Sequence, residues 1–106
     1  MNQMALTPHG IEIPPAEIES FCARNHIRKL SLFGSILTDR FGPESDVDVL
    51  VEFEPGAAIT FLDVARMERE FSQVVGRKVD LRTPQDLSRY FRKRVVSEAL
   101  VQYERE

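Results

Sequence analysis

The chain of 106 residues contains one cysteine, no tryptophan and two histidines. With Cys22 alone, no internal disulfide can form, and the thiol reads as a small buried hydrophobe. His9 and His26 are too few and too far apart in pattern for a zinc site. No apolar run approaches the roughly eighteen residues of a membrane helix, so no membrane partner is expected. The first residues lack a basic start and a hydrophobic stretch, so no secretion signal is read there and a reducing, cytoplasmic setting is expected. A formal net charge of −3 offers little attraction to phosphate backbones, and direct nucleic-acid binding is not expected. The late basic cluster Arg89, Arg92, Lys93, Arg94 reads as a solvated helix face, with a patch for an acidic partner or nucleic acid as the alternative.

What is present suits one small domain: 42% hydrophobic and 29% charged residues. Residues 1–14 carry no clear period and read as a loose N-terminal arm, with the domain over 15–106. Pro14-Pro15 opens a helix whose Ile18, Phe21 and Cys22 fall on one face. A strand follows at 28–33, then Gly34-Ser35 and a short helix over 36–41. The clearest strand is 46–53, where alternation puts Asp46, Asp48, Leu50 and Glu52 on one face. A helix over 61–75 has Phe61, Val64, Ala65, Met67, Phe71, Val74 and Val75 inward, and Gly76 ends it. Glu68 projects within that face, either to solvent at an edge or against a basic neighbour. A strand at 78–82 and a last helix over 88–103 complete the chain. The expected fold class is α/β (α+β), a small mixed sheet packed against helices, in the element order α-β-α-β-α-β-α.

The candidate chemistry lies in Gly34, Ser35, Asp46, Asp48 and Asp80. Asp46 and Asp48 lie two apart on a strand, so their like charges share a face and repel unless a cation lies between them. Mg²⁺ suits such a place; a solvated strand end is the plain alternative. Gly34 after a strand lets backbone approach a ligand, and Ser35 at the start of a helix offers N–H groups and a hydroxyl to an anion. Ser35 reads equally as a simple N-cap. Asp80, if its strand lies beside that of Asp48, brings a third carboxylate to a two-ion site and becomes a general base. Otherwise it pairs with Lys78 or Arg82.

Leu32-Phe33-Gly34-Ser35, ten residues, then Asp46-Val47-Asp48-Val49-Leu50-Val51 resembles the signature of the DNA polymerase beta-like nucleotidyltransferases. Val51-Glu52-Phe53-Glu54-Pro55-Gly56 and Gly76-Arg77-Lys78-Val79-Asp80-Leu81 are similar to the minimal, MntA-type members, over roughly residues 15–105. The resemblance implies that Gly34 and Ser35 contact the triphosphate of ATP, that Asp46 and Asp48 carry two Mg²⁺ ions, and that Asp80 is the third catalytic carboxylate. It implies an antitoxin that adenylylates a HEPN-domain RNase toxin of the HepT kind. A binding-only antitoxin and a small-molecule nucleotidyltransferase are the alternatives. Many relatives carry basic residues directly after Gly-Ser. Here Ile36-Leu37-Thr38-Asp39 stands instead, leaving Arg40, Arg77, Lys78 or Arg82 to supply positive charge. A domain this small has little surface left for an acceptor, so a second chain is expected, as a hetero-complex or a homo-oligomer.

Overall fold

The structure is a computed structural model that describes residues 5–6 and 8–105. Residues 1–4 and 7 of the expected arm, and Glu106 of the expected domain, lie outside the described residues.

The central sheet has four strands: β3 (Ile27–Phe33), β4 (Val47–Phe53), β5 (Val79–Arg82) and β6 (Leu100–Glu104). Their spatial order is β5-β4-β3-β6. Two shorter strands, β1 (Ala5–Leu6) and β2 (Glu12–Ile13), pair with each other. The helices are α1 (Pro15–Arg24), α2 (Phe61–Val75) and α3 (Arg92–Glu98).

Register decides what each face of the sheet carries. Leu30 lies opposite Val51 and Leu32 opposite Val49, while Val47 and Val49 lie beside Val79 and Leu81. All are buried, packed with Ile18, Phe21 and Cys22 of α1 and Met67, Phe71 and Val75 of α2. Phe21 stacks on Phe71 with ring centroids 4.6 Å apart. The opposite face presents Phe33, Asp48, Asp80 and Arg82, by strand alternation.

β4 and β5 are parallel. Parallel neighbours need a crossover, and α2 provides it. Thr60 caps α2 by accepting the Asp63 N–H at 3.2 Å, while Asp63 accepts the Thr60 N–H at 2.9 Å. Gly76 closes it in the left-handed region at φ 78°. As the outermost strand, β5 turns alternate N–H groups away from β4. Two of these are met from α2: Ser72 Oγ accepts the Val79 N–H at 3.0 Å, and a Glu68 carboxylate oxygen accepts the Leu81 N–H at 2.8 Å. One Glu68 carboxylate oxygen is therefore held by an edge strand's backbone, with Arg82 near enough to feel its charge, and such cover blunts an open edge.

The element order departs from the sequence expectation. Among the described residues it runs β-β-α-β-β-α-β-α-β, and the expected α-β-α-β-α-β-α pattern is corrected at both ends and between β3 and β4. The last helix spans only Arg92–Glu98; Ala99 turns extended, and residues 100–104 pair with β3 as β6. The vacant edge of β3 outcompetes a helical repeat of apolar residues that a strand reads equally well. The expected helix over 36–41 is a 3₁₀ turn, Gly34–Leu37, ended by Thr38 in extended conformation. Phe61, expected inward, is 91% exposed.

Candidate active site

Three chain segments converge at one end of the sheet. Gly34 follows β3 directly, at φ 79°, where a side chain is strained. Its Cα faces the Asp48 carboxylate so closely that a Cβ would lie 2.3 Å from Asp48 Oδ2. Asp48, the second residue of β4, stands opposite Phe33 on one side and Asp80 on the other. Asp48 and Asp80 are therefore direct neighbours on adjoining strands, on the same face. Asp46 precedes β4, at the end of the loop after the 3₁₀ turn.

The electrostatics follow from this placement. Burial, then the charges of Asp80 and Asp46, raise the Asp48 carboxyl above its ordinary range, and Arg82 partly opposes them. The two outer carboxylates have cations of their own. Arg82 donates Nε and Nη2 to Asp80 Oδ2 at 3.3 and 3.2 Å. Lys78 Nζ lies 3.8 Å from Asp46 Oδ2. The carboxylates are close enough to repel and are the donors a hard divalent ion takes. As they stand, no three or more His, Cys, Asp or Glu side chains among the described residues are arranged to hold a metal ion. Carboxylate donors from adjoining strands, with Asp48 in register with Asp80, are of the kind a hard divalent ion such as Mg²⁺ could use.

Two grooves flank this end of the sheet. One, of about 880 Å³, is lined by Gly34, Ser35, Arg40 and, from the far wall, Phe91 and Arg94. The other, of about 480 Å³, holds Asp80, Arg82, Thr83 and Asp86 with Phe61 on its wall. Arg40 is exposed and belongs to the Gly34–Ser35 groove.

Two arginines have roles that sequence reasoning did not assign. Arg77 donates Nη2 to the carbonyls of Gly42 and Ser45, both at 2.7 Å, and its guanidinium lies 4.5 Å from the Phe41 ring centroid. It fastens the loop that delivers Asp46, so this cation is committed to backbone. Arg92 donates to the carbonyls of Pro84 at 2.7 Å and Leu87 at 3.0 Å, ordering the segment after β5. The basic cluster thus divides: Arg92 turns inward to loop carbonyls, while Arg94 faces the groove. Neither role has a sequence signal, because each depends on which carbonyls the fold leaves unpaired.

Comparison with known proteins agrees with this geometry. The family model described as a nucleotidyltransferase domain matches residues 16–102. A Methanocaldococcus jannaschii protein assigned as a protein adenylyltransferase is 31% identical over 77 residues, 73% of this chain and 81% of its own. A solved structure assigned as a minimal nucleotidyltransferase is 32% identical, with a TM-score of 0.66 over 81% of this chain and 86% of its own. The structure of a tri-AMPylated Shewanella oneidensis HEPN toxin with its MNT antitoxin is 16% identical, with a TM-score of 0.59 over 85% of this chain and 69% of that one. At that identity the likeness is one of fold.

Proposed function

Because the chain belongs to the nucleotidyltransferase domain family, we propose that it transfers AMP from ATP to a hydroxyl of a partner protein and releases pyrophosphate. The observation that carries this reading is the pairing of Asp48 with Asp80 across parallel strands, beside a glycine that leaves no room for a methyl group. The partner is a HEPN-domain toxin, a reading supported by the fold shared with the Shewanella oneidensis antitoxin and by the adenylyltransferase relative.

The triphosphate lies in the groove of about 880 Å³, its β- and γ-phosphates against the N–H groups of the Gly34–Leu37 turn and the Ser35 hydroxyl. Arg40 and Arg94, both exposed on that groove, supply the positive charge that Ile36-Leu37-Thr38-Asp39 does not. Arg94 is loosely held, 4.0 Å from Glu98, and free to turn toward phosphate. Asp46, Asp48 and Asp80 would hold two Mg²⁺ ions. The ions, when bound, offset the triphosphate charge and lower the pKa of the attacking hydroxyl. The acceptor oxygen attacks the α-phosphorus, the bond to the bridging oxygen of pyrophosphate breaks, and Asp80 takes the hydroxyl proton. The second groove, which contains Asp80, admits the acceptor.

A second reading, an antitoxin that acts by binding alone, draws support from Lys78 and Arg82 occupying the outer carboxylates. One experiment separates the two. Full-length protein, ATP, Mg²⁺ and the HEPN-domain protein are incubated together, and the partner is weighed by mass spectrometry. Addition of one or more AMP groups is expected. The same addition with an Asp46→Asn, Asp48→Asn variant overturns the transfer reading, and a stable complex without mass gain promotes the second.

A further inference from the structure

The loop from Thr38 to Ser45 joins two parts of the candidate site: the Gly34–Leu37 turn leads into it, and Asp46 follows it. Arg77 fastens the Asp46 end through the Gly42 and Ser45 carbonyls. The turn end has a different fastening. Thr38 closes the turn by donating its N–H, at 2.9 Å, and its hydroxyl, at 2.8 Å, to the Ser35 carbonyl. The Thr38 carbonyl in turn lies 2.8 Å from Nε2 of His9, 29 residues earlier in the chain. A carbonyl oxygen only accepts, so Nε2 carries the hydrogen and donates. The His9 ring also lies against Phe41, with centroids 4.9 Å apart, and the same Phe41 ring carries the Arg77 guanidinium. Both fastenings therefore meet on one side chain that is 9% exposed. His9 itself is exposed, between β1 and β2, at φ 65°. A non-glycine residue keeps that conformation where its contacts over-determine it. Ile13 of β2 is fully buried, so this part of the expected loose arm is anchored to the core and tied to the candidate site.

We propose that His9 is a positioning residue for triphosphate: its hydrogen bond to Thr38 holds the Gly34–Leu37 turn in place relative to Asp46. This rests on the nucleotidyl-transfer reading. His9 acts through Thr38 and Ser35 and does not itself touch nucleotide. Without its bond, the turn gains freedom that phosphate binding must remove, so affinity falls. Asp48 and Asp80 keep their register, which the pairing of β4 with β5 sets.

The test is binding of the β,γ-imido analogue of ATP, with Mg²⁺, to full-length protein by isothermal calorimetry. Each variant is measured well below its own unfolding temperature, which keeps loss of folded protein out of the affinity. His9→Ala is expected to bind about three- to tenfold more weakly than the parent, the scale of one hydrogen bond. His9→Gln places an amide N–H where Nε2 stood and should restore affinity. His9→Phe keeps a ring against Phe41 but has no donor, and should be as weak as His9→Ala. Equal affinity of His9→Ala and the parent overturns the role of His9 alone. So does a His9→Gln variant as weak as His9→Ala, or a His9→Phe variant as tight as the parent. Parent protein that does not bind the analogue overturns the transfer reading and this proposal with it.

Discussion

A methyl group added at Gly34 meets two obstacles, a positive φ of 79° and the Asp48 carboxylate at 2.3 Å. Gly34→Ala is expected to destabilise the fold by about 1–3 kcal/mol and to lower transfer far more than that loss explains, because Asp48 must move. Denaturation curves and single-turnover assays measure the two effects separately. Asp48 itself gives a signed pH effect. Its pKa is raised in the folded state, so its contribution to stability is present below its unfolded value and is lost as pH rises through the folded one. Asp48→Asn is therefore expected to unfold at a higher temperature than the parent in metal-free buffer at pH 7, with the gap closing as the solution is made acid. A variant less stable than its parent across that range refutes the account by burial and like charge. The aspartates were legible as a spaced pattern. Arg77 and Arg82 were legible only as spare positive charges, since their partners are a distant loop's carbonyls and a carboxylate whose orientation only strand pairing fixes.

Helix α2 was readable from its period and from Gly76, yet its functional weight lies in two polar residues. Ser72 and Glu68 receive the outward amides of β5 and hold the strand that bears Asp80. Glu68→Ala leaves the Leu81 N–H without its partner and should cost about 1–3 kcal/mol, together with a drop in transfer as Asp80 shifts. Urea denaturation beside the transfer assay checks both. At the start of the same helix, Thr60→Ala should cost about 1 kcal/mol. The matching hydrogen bonds from Thr60 lower the Asp63 pKa, so that part of the stability is present above the ordinary value of 3.8 and drains away as pH falls through the lowered one. The parent's advantage over Thr60→Ala, followed by thermal unfolding from pH 7 downward, should shrink in acid. The misread element was the C-terminal one. Val95, Ala99 and Leu100 fit a helical stripe, but Leu100, Val101 and Tyr103 also suit a strand, and only the open edge of β3 decides between them.

At the scale of the molecule, exposed large apolar side chains among the described residues concentrate near the two grooves. Phe61 is 91% and Leu62 81% exposed at the start of α2, with Phe61 on the wall of the Asp80 groove; Tyr90 is 81% and Phe91 52% exposed near the other. Side chains so open contribute little to folding. Phe61→Ser with Leu62→Ser is expected to change stability by no more than about 0.5 kcal/mol. The same change should weaken a complex with the proposed HEPN-domain partner by tenfold or more, read by isothermal calorimetry. The small scale of the domain was legible from length; the exposure of Phe61 was not, because that residue fitted the inward stripe of its helix.

The parallel alignment of β4 with β5 has a consequence for how the protein comes into being. Asp48 and Asp80 cannot meet until the intervening segment has coiled and docked, since strands running the same way have no short route between them. A half-synthesised chain, or one clipped between its two carboxylate strands and allowed to drift apart, has phosphate-turn residues but no completed centre. Activity should therefore emerge only once β5 has been made and paired, leaving no stage at which an immature copy modifies its target.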